Sequence, residues 1–162
     1  MYSVVYGECC VVHVPFRQWV GTREGRKIVI SNFTPAEIEY FKSQRLGRLA
    51  TVNAAGEPHV VPVSFRYNAE LDTIDIGGLN IAQSKKFRDA ARNGRVAFVV
   101  DDVLPPWQPR GIEVRGSAEV LSTGGQEIMS SFAPEMIRVF PKRIISWGLD
   151  GEAYRSNSRS VG

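Results

Sequence analysis

Short β-rich runs, separated by turn signals and recurring at short spacing, are the feature that most limits how this chain can fold. Strands are predicted over residues 46–53, 58–67, 73–78, 96–100, 111–121 and 143–147. Helices are predicted only over residues 34–44, 84–92 and 126–132. Strands that outnumber helices at this spacing favour a barrel or a sandwich over a parallel βαβ fold.

Prolines, and the alternation of side chains between two faces, further define the predicted strands and loops. Pro58 and Pro62 cannot donate ladder hydrogen bonds, so the strand that contains them is predicted to lie at an edge or to contain a bulge. Residues 101–109 are rich in proline and are predicted to form a loop. The strand after this loop alternates, and one face of it is formed by Ile112, Val114, Gly116 and Ala118.

Two of the helices have clear start signals. Thr34 and Glu37 form a capping box around Pro35 at the first helical position. Ser84 is a natural N-cap for the next helix, and Gly94 is a natural stop. The sequence therefore predicts helix starts at these two places.

Length and composition describe an ordinary single-domain protein. The chain has 162 residues, of which 43% are hydrophobic and 23% are charged. A formal charge of +3 is too small to indicate nucleic acid or a membrane as a partner. We find no apolar run of membrane-spanning length and no start typical of a signal peptide, and a cytoplasmic protein is expected.

The two ends of the chain differ from the middle. Residues 1–31 are Val-rich and then basic, with no sustained period, and are interpreted as an N-terminal extension of uncertain structure. A disordered extension, an added strand and an artefact of the assumed translation start all remain open. Residues 32–155 form the predicted domain, and residues 156–162 form a small polar tail.

The sequence lacks the motifs of several enzyme classes. There is no G-x-S-x-G elbow, no phosphate-binding loop that ends in Gly-Lys-Ser/Thr, no H-E-x-x-H and no G-x-G-x-x-G. The adjacent Cys9 and Cys10 and the two histidines, His13 and His59, have no metal-ligand spacing. If the chain is an enzyme, a bound cofactor is expected to supply the reactive atom.

The best local candidate for a site is the helix start at Ser84-Lys85-Lys86. This start follows a Gly-rich strand exit, Gly77-Gly78-Leu79-Asn80. Free amides and a partial positive charge at a helix N-terminus suit a phosphate, and Lys85 or Lys86 adds a full charge. The alternative from local sequence is that both lysines are solvated surface residues.

Two further residues are candidates for a functional site, and each also has an ordinary structural interpretation. His59 opens a strand after a tight turn, where a histidine is more often a hydrogen-bonded surface or core residue than a catalyst. Trp107 lies between prolines and could cover a ligand ring, pack at a subunit interface or fill the core. Trp147 is predicted to lie in the core.

The ordered set of motifs resembles the pyridoxamine-phosphate-oxidase-like split β-barrel family, over residues 33–150. Within the family the chain is most similar to the actinobacterial branch of F420-dependent oxidoreductases, whose cofactor is a deazaflavin with a phosphate. The motifs are Leu49-Ala50-Thr51-Val52, Gly56-Glu57-Pro58-His59-Val60-Val61-Pro62-Val63, Ser84-Lys85-Lys86-Phe87-Arg88-Asp89, Asn93-Gly94-Arg95-Val96 and Val114-Arg115-Gly116-Ser117-Ala118.

The resemblance implies a mainly β split barrel that forms a homodimer with cofactor sites at the subunit interface. It places Lys86 on the cofactor phosphate. A basic residue is common in the family where Ser84 stands, so Lys85 or Gln83 is the candidate to replace that contact. The Trp107 loop and the segment around Arg143 and Trp147 are implied to approach from the partner subunit. The remaining implied cofactor residues are Pro62, Val63 and Ser64, which line the ring through backbone groups, together with His59, Gly78 and Asn80.

The function implied by the resemblance is hydride transfer between reduced F420 and a small unsaturated organic acceptor. FMN is the alternative cofactor, and a non-catalytic carrier of flavin, deazaflavin or haem is the alternative function. No dedicated acid-base residue is apparent. The polar tail lacks the Trp- and Arg-bearing segment of true pyridoxamine-phosphate oxidases, so vitamin B6 chemistry is not expected.

Overall fold

A computed structural model describes residues 22–23, 26–27, 31–151 and 154–161. The chain divides into two units, residues 1–30 and 31–162. In the first unit the strands β1 (Thr22–Arg23) and β2 (Arg26–Lys27) pair in antiparallel fashion. The other predictions for residues 1–30 lie outside the described residues.

The second unit is built mainly from antiparallel strands, as predicted. Its seven strands form one sheet in the order β5-β4-β3-β6-β7-β8-β9. They are β3 (Leu46–Val52), β4 (Pro58–Asn68), β5 (Thr73–Gly77), β6 (Arg95–Leu104), β7 (Gln108–Leu121), β8 (Met136–Trp147) and β9 (Ser156–Ser160). The helices are α1 (Pro35–Ser43), α2 (Lys85–Asn93) and α3 (Gly125–Ile128), with a 3-10 turn at Ile81–Gln83.

The sheet closes on itself because β5 also pairs with β8. Six strands, β3 to β8, therefore form a barrel, and β9 pairs with β8 outside this ring. Apolar side chains from alternate positions fill the interior, among them Leu49, Phe65, Ile74, Ile76, Phe98, Val100, Ile112, Val114, Ile137 and Ile144. The alternation predicted from Ile112 to Ala118 is confirmed by burial, and the closed strand order confirms the split-barrel fold class.

An ion cluster centred on Asp75 holds the closing seam. Asp75 lies opposite Arg138 of β8 and Arg66 of β4 in the strand registers, and its side chain is fully buried. The Arg138 guanidinium donates two hydrogen bonds to the Asp75 carboxylate, at 2.7 and 2.9 Å, and Asn68 donates a third at 2.9 Å. Burial alone would raise the pKa of Asp75, but the bonds from Arg138 and Asn68 hold it below its ordinary value.

Four predicted boundaries are wrong, each for a physical reason. Residues 101–104 and 108–109 form the ends of β6 and β7, and only residues 105–107 form a turn, because Arg48 pairs with Asp101 and Arg110 pairs with Asp102. β8 begins at Met136, and a bulge in the β7–β8 register accommodates its proline. α3 stops at Ile128, and the following chain turns so that the Ala133 amide can bond to Gly78.

The fourth difference lies at the C-terminal end. Residues 156–160 of the predicted polar tail form β9, whose backbone pairs with β8. Trp147 is half-buried on the outer side of β8, because its neighbours Ile144 and Ser146 take the inward positions. Among the described residues no helix is long and apolar enough to span a membrane.

Helix α1 begins as the sequence predicts and also anchors β9. The Thr34 hydroxyl accepts from the Glu37 amide, and the Glu37 carboxylate accepts from the Thr34 amide at 2.9 Å. Glu37 is buried and forms a two-pronged ion pair with Arg159 of β9, with Nη1 and Oε1 3.0 Å apart. Burial would raise the pKa of Glu37, but the Arg159, Thr34 and Ser146 hydrogen bonds outweigh it and lower the pKa.

We predict that Arg159→Met lowers the free energy of unfolding by about 2–4 kcal/mol, because it leaves a buried carboxylate without its partner. Urea unfolding measures the loss. The matched control is Arg143→Met, which alters an exposed arginine on β8 and should change little. The Glu37 contribution is present above the unfolded carboxyl pKa and is lost as the pH falls through the lowered native pKa, so the difference between wild type and variant should shrink in acid. Equal stability at neutral pH would contradict this role.

Candidate functional site

The start of α2 presents two free backbone amides. The Ser84 hydroxyl accepts from the Phe87 amide at 3.3 Å and donates to the Ile81 carbonyl at 2.6 Å. The predicted N-cap is therefore confirmed, and the hydroxyl proton of Ser84 is already used inside the chain. The amides of Lys85 and Lys86 bond to no other described residue, so they remain the donors at this helix end.

The two adjacent lysines differ sharply in their surroundings. Lys85 Nζ lies 2.6 Å from Asp89 Oδ2, in an ion pair one turn along the helix. Lys86 forms no ion pair or hydrogen bond with any residue in the described part of the chain. Its side chain is half-buried, and this burial lowers the pKa of the Lys86 ammonium. An anion beside Lys86 would stabilise a charge that the described residues leave uncompensated.

Asp89 connects α2 to the barrel and was not identified from the sequence. It is buried, and it accepts from Thr51 of β3 at 3.5 Å as well as from Lys85. The hydrogen bond from Lys85, against the opposing effect of burial, lowers the pKa of Asp89. The four-residue spacing of Lys85 and Asp89 was the available signal, because such pairs meet on one helix face.

His59 lies at the same end of the barrel. It is paired in register with Thr51, so the two side chains are on the same face of the sheet. Along β4 it lies on the same inward-facing side as Val61, Val63 and Phe65. The structure therefore brings His59 to the side of the barrel where Thr51 contacts α2.

Within the described part of the chain, strand β4 has an open edge next to this region. Residues 58–63 pair with β3 on one side, whereas β5 pairs with β4 only from Ser64 onward. The edge position predicted from Pro58 and Pro62 is thus confirmed. The backbone of Pro62, Val63 and Ser64 lies where the neighbouring strand departs, and the Val63 side chain is buried in the core.

The departing strand leads directly to α2. Gly77 lies opposite Ser64, and a Cβ on Gly77 would meet the Phe132 ring at 2.6 Å. The Gly78 carbonyl accepts from the Ala133 amide at 3.1 Å, which fixes the strand exit. Asn80 is exposed and begins the 3-10 turn before Ser84. These contacts place the Gly78 region between the β4 edge and the start of α2.

Within one chain, Trp107 does not lie with His59, the β4 edge and the start of α2. It lies at the tip of the β6–β7 hairpin with 67% of its surface exposed. β6 starts directly after α2 and runs for ten residues, so about 30 Å of strand separates the end of α2 from the hairpin tip. The approach of Trp107 from a partner subunit stays a prediction.

The donor set suits an anion attached to a flat apolar group rather than a metal. Among the described residues no three His, Cys, Asp or Glu side chains are grouped to hold a metal ion. Two free amides and an unpaired lysine suit a phosphate, and an open strand edge can accept a planar ring through backbone groups. The residues present therefore fit a flavin-type cofactor.

Comparison with known proteins agrees with this fit. Residues 33–148 match the family described as pyridoxamine 5'-phosphate oxidase. The chain belongs to this family. A relative from Streptomyces rimosus, a 5a,11a-dehydrotetracycline/5a,11a-dehydrooxytetracycline reductase, is 51% identical over 74% of this chain and 86% of its own length. The prediction that the chain is an oxidoreductase is confirmed at the level of enzyme class.

Solved structures of similar proteins share the fold. A conserved hypothetical protein from Mycobacterium tuberculosis has a TM-score of 0.58 and 23% identity, over 80% of this chain and 92% of that one. An FAD-binding protein from Mycobacterium smegmatis has a TM-score of 0.53 and 21% identity, over 80% of this chain and 100% of that one. At these identities the likeness establishes the split barrel alone.

We predict that the Lys86 ammonium titrates below the ordinary lysine pKa and that inorganic phosphate raises its pKa. Burial penalises the charged form, and a bound anion offsets this penalty. NMR titration of ¹³C-methylated lysines measures the pKa, and Lys86→Arg identifies the signal by removing it. Anion binding should weaken as the pH rises through the lowered pKa, because the neutral amine no longer attracts phosphate. A Lys86 signal that phosphate leaves unmoved would contradict an anion site here.

Proposed function

We propose that this chain is an F420-dependent oxidoreductase, with Lys86 and the first amides of α2 holding the cofactor phosphate. The observation that supports it most is the unpaired, half-buried Lys86 at a helix start, beside an open strand edge. The adjacent Lys85 is engaged by Asp89 at 2.6 Å, so only one of the two charges is free for a ligand. When bound, the reduced deazaflavin supplies the hydride.

The role of the chain is to bind and orient. The β4 backbone at Pro62, Val63 and Ser64 supports the ring at the point where β5 departs, and the Gly78–Asn80 segment lies beside it. The buried Val63 side chain fixes this part of β4 in the core. Such rigid backing positions a ring against its acceptor, which is how a protein contributes to cofactor chemistry.

The acceptor in our proposal is an unsaturated organic molecule. The Streptomyces rimosus relative is named as a reductase of 5a,11a-dehydrotetracycline and 5a,11a-dehydrooxytetracycline, and its 51% identity supports an acceptor of the same general class. FMN is the second candidate cofactor, because a phosphate site built from Lys86 and helix amides would accept either molecule.

A homodimer is part of the proposal. The outer face of the sheet contains a cavity of about 280 Å³, lined mainly by apolar side chains that include Ala50, Val60, Ala97 and Val99. Val60 is 63% exposed in the single chain. A second copy of the chain would cover this face and could bring its own Trp107 hairpin toward the cofactor.

We predict that Lys86→Met weakens cofactor binding by about 1–3 kcal/mol, or about 5- to 150-fold, through loss of a charge-assisted hydrogen bond. The matched control is Lys85→Met, because Lys85 is adjacent but already paired. Calorimetry with FMN and with riboflavin, which lacks the phosphate, should show that the Lys86 change affects only FMN. Unchanged FMN affinity in Lys86→Met would return Lys86 to the role of a surface residue.

Turnover tests the function itself. Purified protein should oxidise reduced F420 in the presence of a conjugated enone acceptor such as dehydrotetracycline, and the absorbance of oxidised F420 should appear in step with acceptor loss. Faster turnover with reduced FMN would assign the flavin instead. Tight cofactor binding without turnover of any acceptor would identify a carrier and refute the enzyme.

A further inference from the structure

The Nδ1 atom of His59 is buried and has no hydrogen-bond partner among the described residues. A buried polar atom without a partner costs free energy, and nearly all such atoms in native proteins are satisfied. His59 is the polar residue in a series of inward-facing positions of β4 that continues with the apolar Val61 and Val63. The unpaired nitrogen therefore suggests that a ligand group completes the site.

The surroundings of His59 indicate what kind of group this is. Thr51 is directly opposite His59 in the strand register, and the Thr51 hydroxyl contacts Asp89 of α2. Lys86 precedes Asp89 by three residues and so lies on the neighbouring part of the same helix surface. His59 therefore lies beside the contact between β3 and α2, and Lys86 lies about one helical turn from it.

The charges around this contact favour an anion. The Asp89 carboxylate is compensated by Lys85 at 2.6 Å, and it also accepts from Thr51. Glu57 precedes His59 by two residues, but its carboxylate accepts from Asn53 at 2.7 Å in the exposed turn. Two further cations lie on α2 near Asp89: Arg92 is exposed, whereas Lys86 is half-buried and has no anionic partner in the described chain.

We propose that His59 Nδ1–H donates a hydrogen bond to the same phosphate that Lys86 binds, so that the anion is held from both β4 and α2. The inference rests on the proposed function and adds a specific second donor to it. It assigns His59 to phosphate binding, in contrast to a role in proton transfer at the ring. It also explains how the chain can bind a phosphate although Ser84 stands where a basic residue is common in the family. The Ser84 hydroxyl cannot replace that contact as a donor, because it already donates to the Ile81 carbonyl.

The test compares binding of phosphorylated and dephosphorylated ligands. Each of FMN and F420 is measured against its phosphate-free counterpart, riboflavin and the ribityl deazaflavin, in wild type, His59→Leu and His59→Asn. His59→Leu should weaken binding of the phosphorylated ligand about tenfold and leave the phosphate-free ligand unchanged. His59→Asn should recover most of the loss, because the Asn amide can donate from a similar position.

A double-mutant cycle separates this inference from the function on which it rests. The losses in His59→Leu and Lys86→Met should be non-additive, because both side chains bind one anion. A phosphate preference that depends on Lys86 but is unchanged in His59→Leu would refute the inference and leave the proposed function standing. Equal weakening of both ligand forms in His59→Leu would show a purely structural role. No phosphate preference in wild type would refute both proposals.

Discussion

Asp75 and its arginine partners determine how the barrel closes, and the candidate site depends on that closure. The buried carboxylate is bonded twice by Arg138 of β8, and Arg66 of β4 lies 3.6 Å away. This cluster joins β5 to both neighbours over residues 73–77. Removing one partner from such a buried cluster is costly, whereas the complete cluster specifies the pairing. β5 ends at Gly77, where the next carbonyl, that of Gly78, accepts from the Ala133 amide, and within the described residues β4 has an open edge beyond this point.

The candidate site has two structural causes. β5 stops pairing with β4 after Gly77, and of two adjacent lysines only Lys85 has an ion-pair partner among the described residues. The chain that leaves β4 turns within seven residues into α2, so a helix start and an open strand edge come to lie at the same end of the barrel. There Asp89 neutralises Lys85, whereas Lys86 is half-buried and has no partner among the described residues. Burial without compensation is unfavourable for an ammonium in the free protein and favourable for the capture of an anion.

Local signals in the sequence predicted part of this arrangement. The capping box at Thr34, the N-cap at Ser84, the stop at Gly94 and the edge implied by Pro62 are all present, because each depends on a few neighbouring residues. The choice of Lys86 over Lys85 came from family resemblance, although the i,i+4 relation of Lys85 to Asp89 could have given it. The partner of each buried charge could not be read from the sequence.

Features that depend on distant pairing were missed. Residues 101–109 contain acidic residues and prolines that strands usually avoid, yet Asp102 is bound by Arg110 across the hairpin and by Tyr40 of α1. β9 is polar, and the long-range ion pair of Arg159 with Glu37 holds it in place. The unpaired nitrogen of His59 is likewise visible only when β3, β4 and α2 are assembled.

The most direct measurement of the central claim is a crystal structure of the chain with bound F420 or FMN. The account predicts that the phosphate oxygens lie within hydrogen-bond distance of Lys86 Nζ and of the first amides of α2, with the ring against the β4 backbone at Pro62–Ser64. A phosphate held elsewhere, with Lys86 still unpaired and facing solvent, would contradict it.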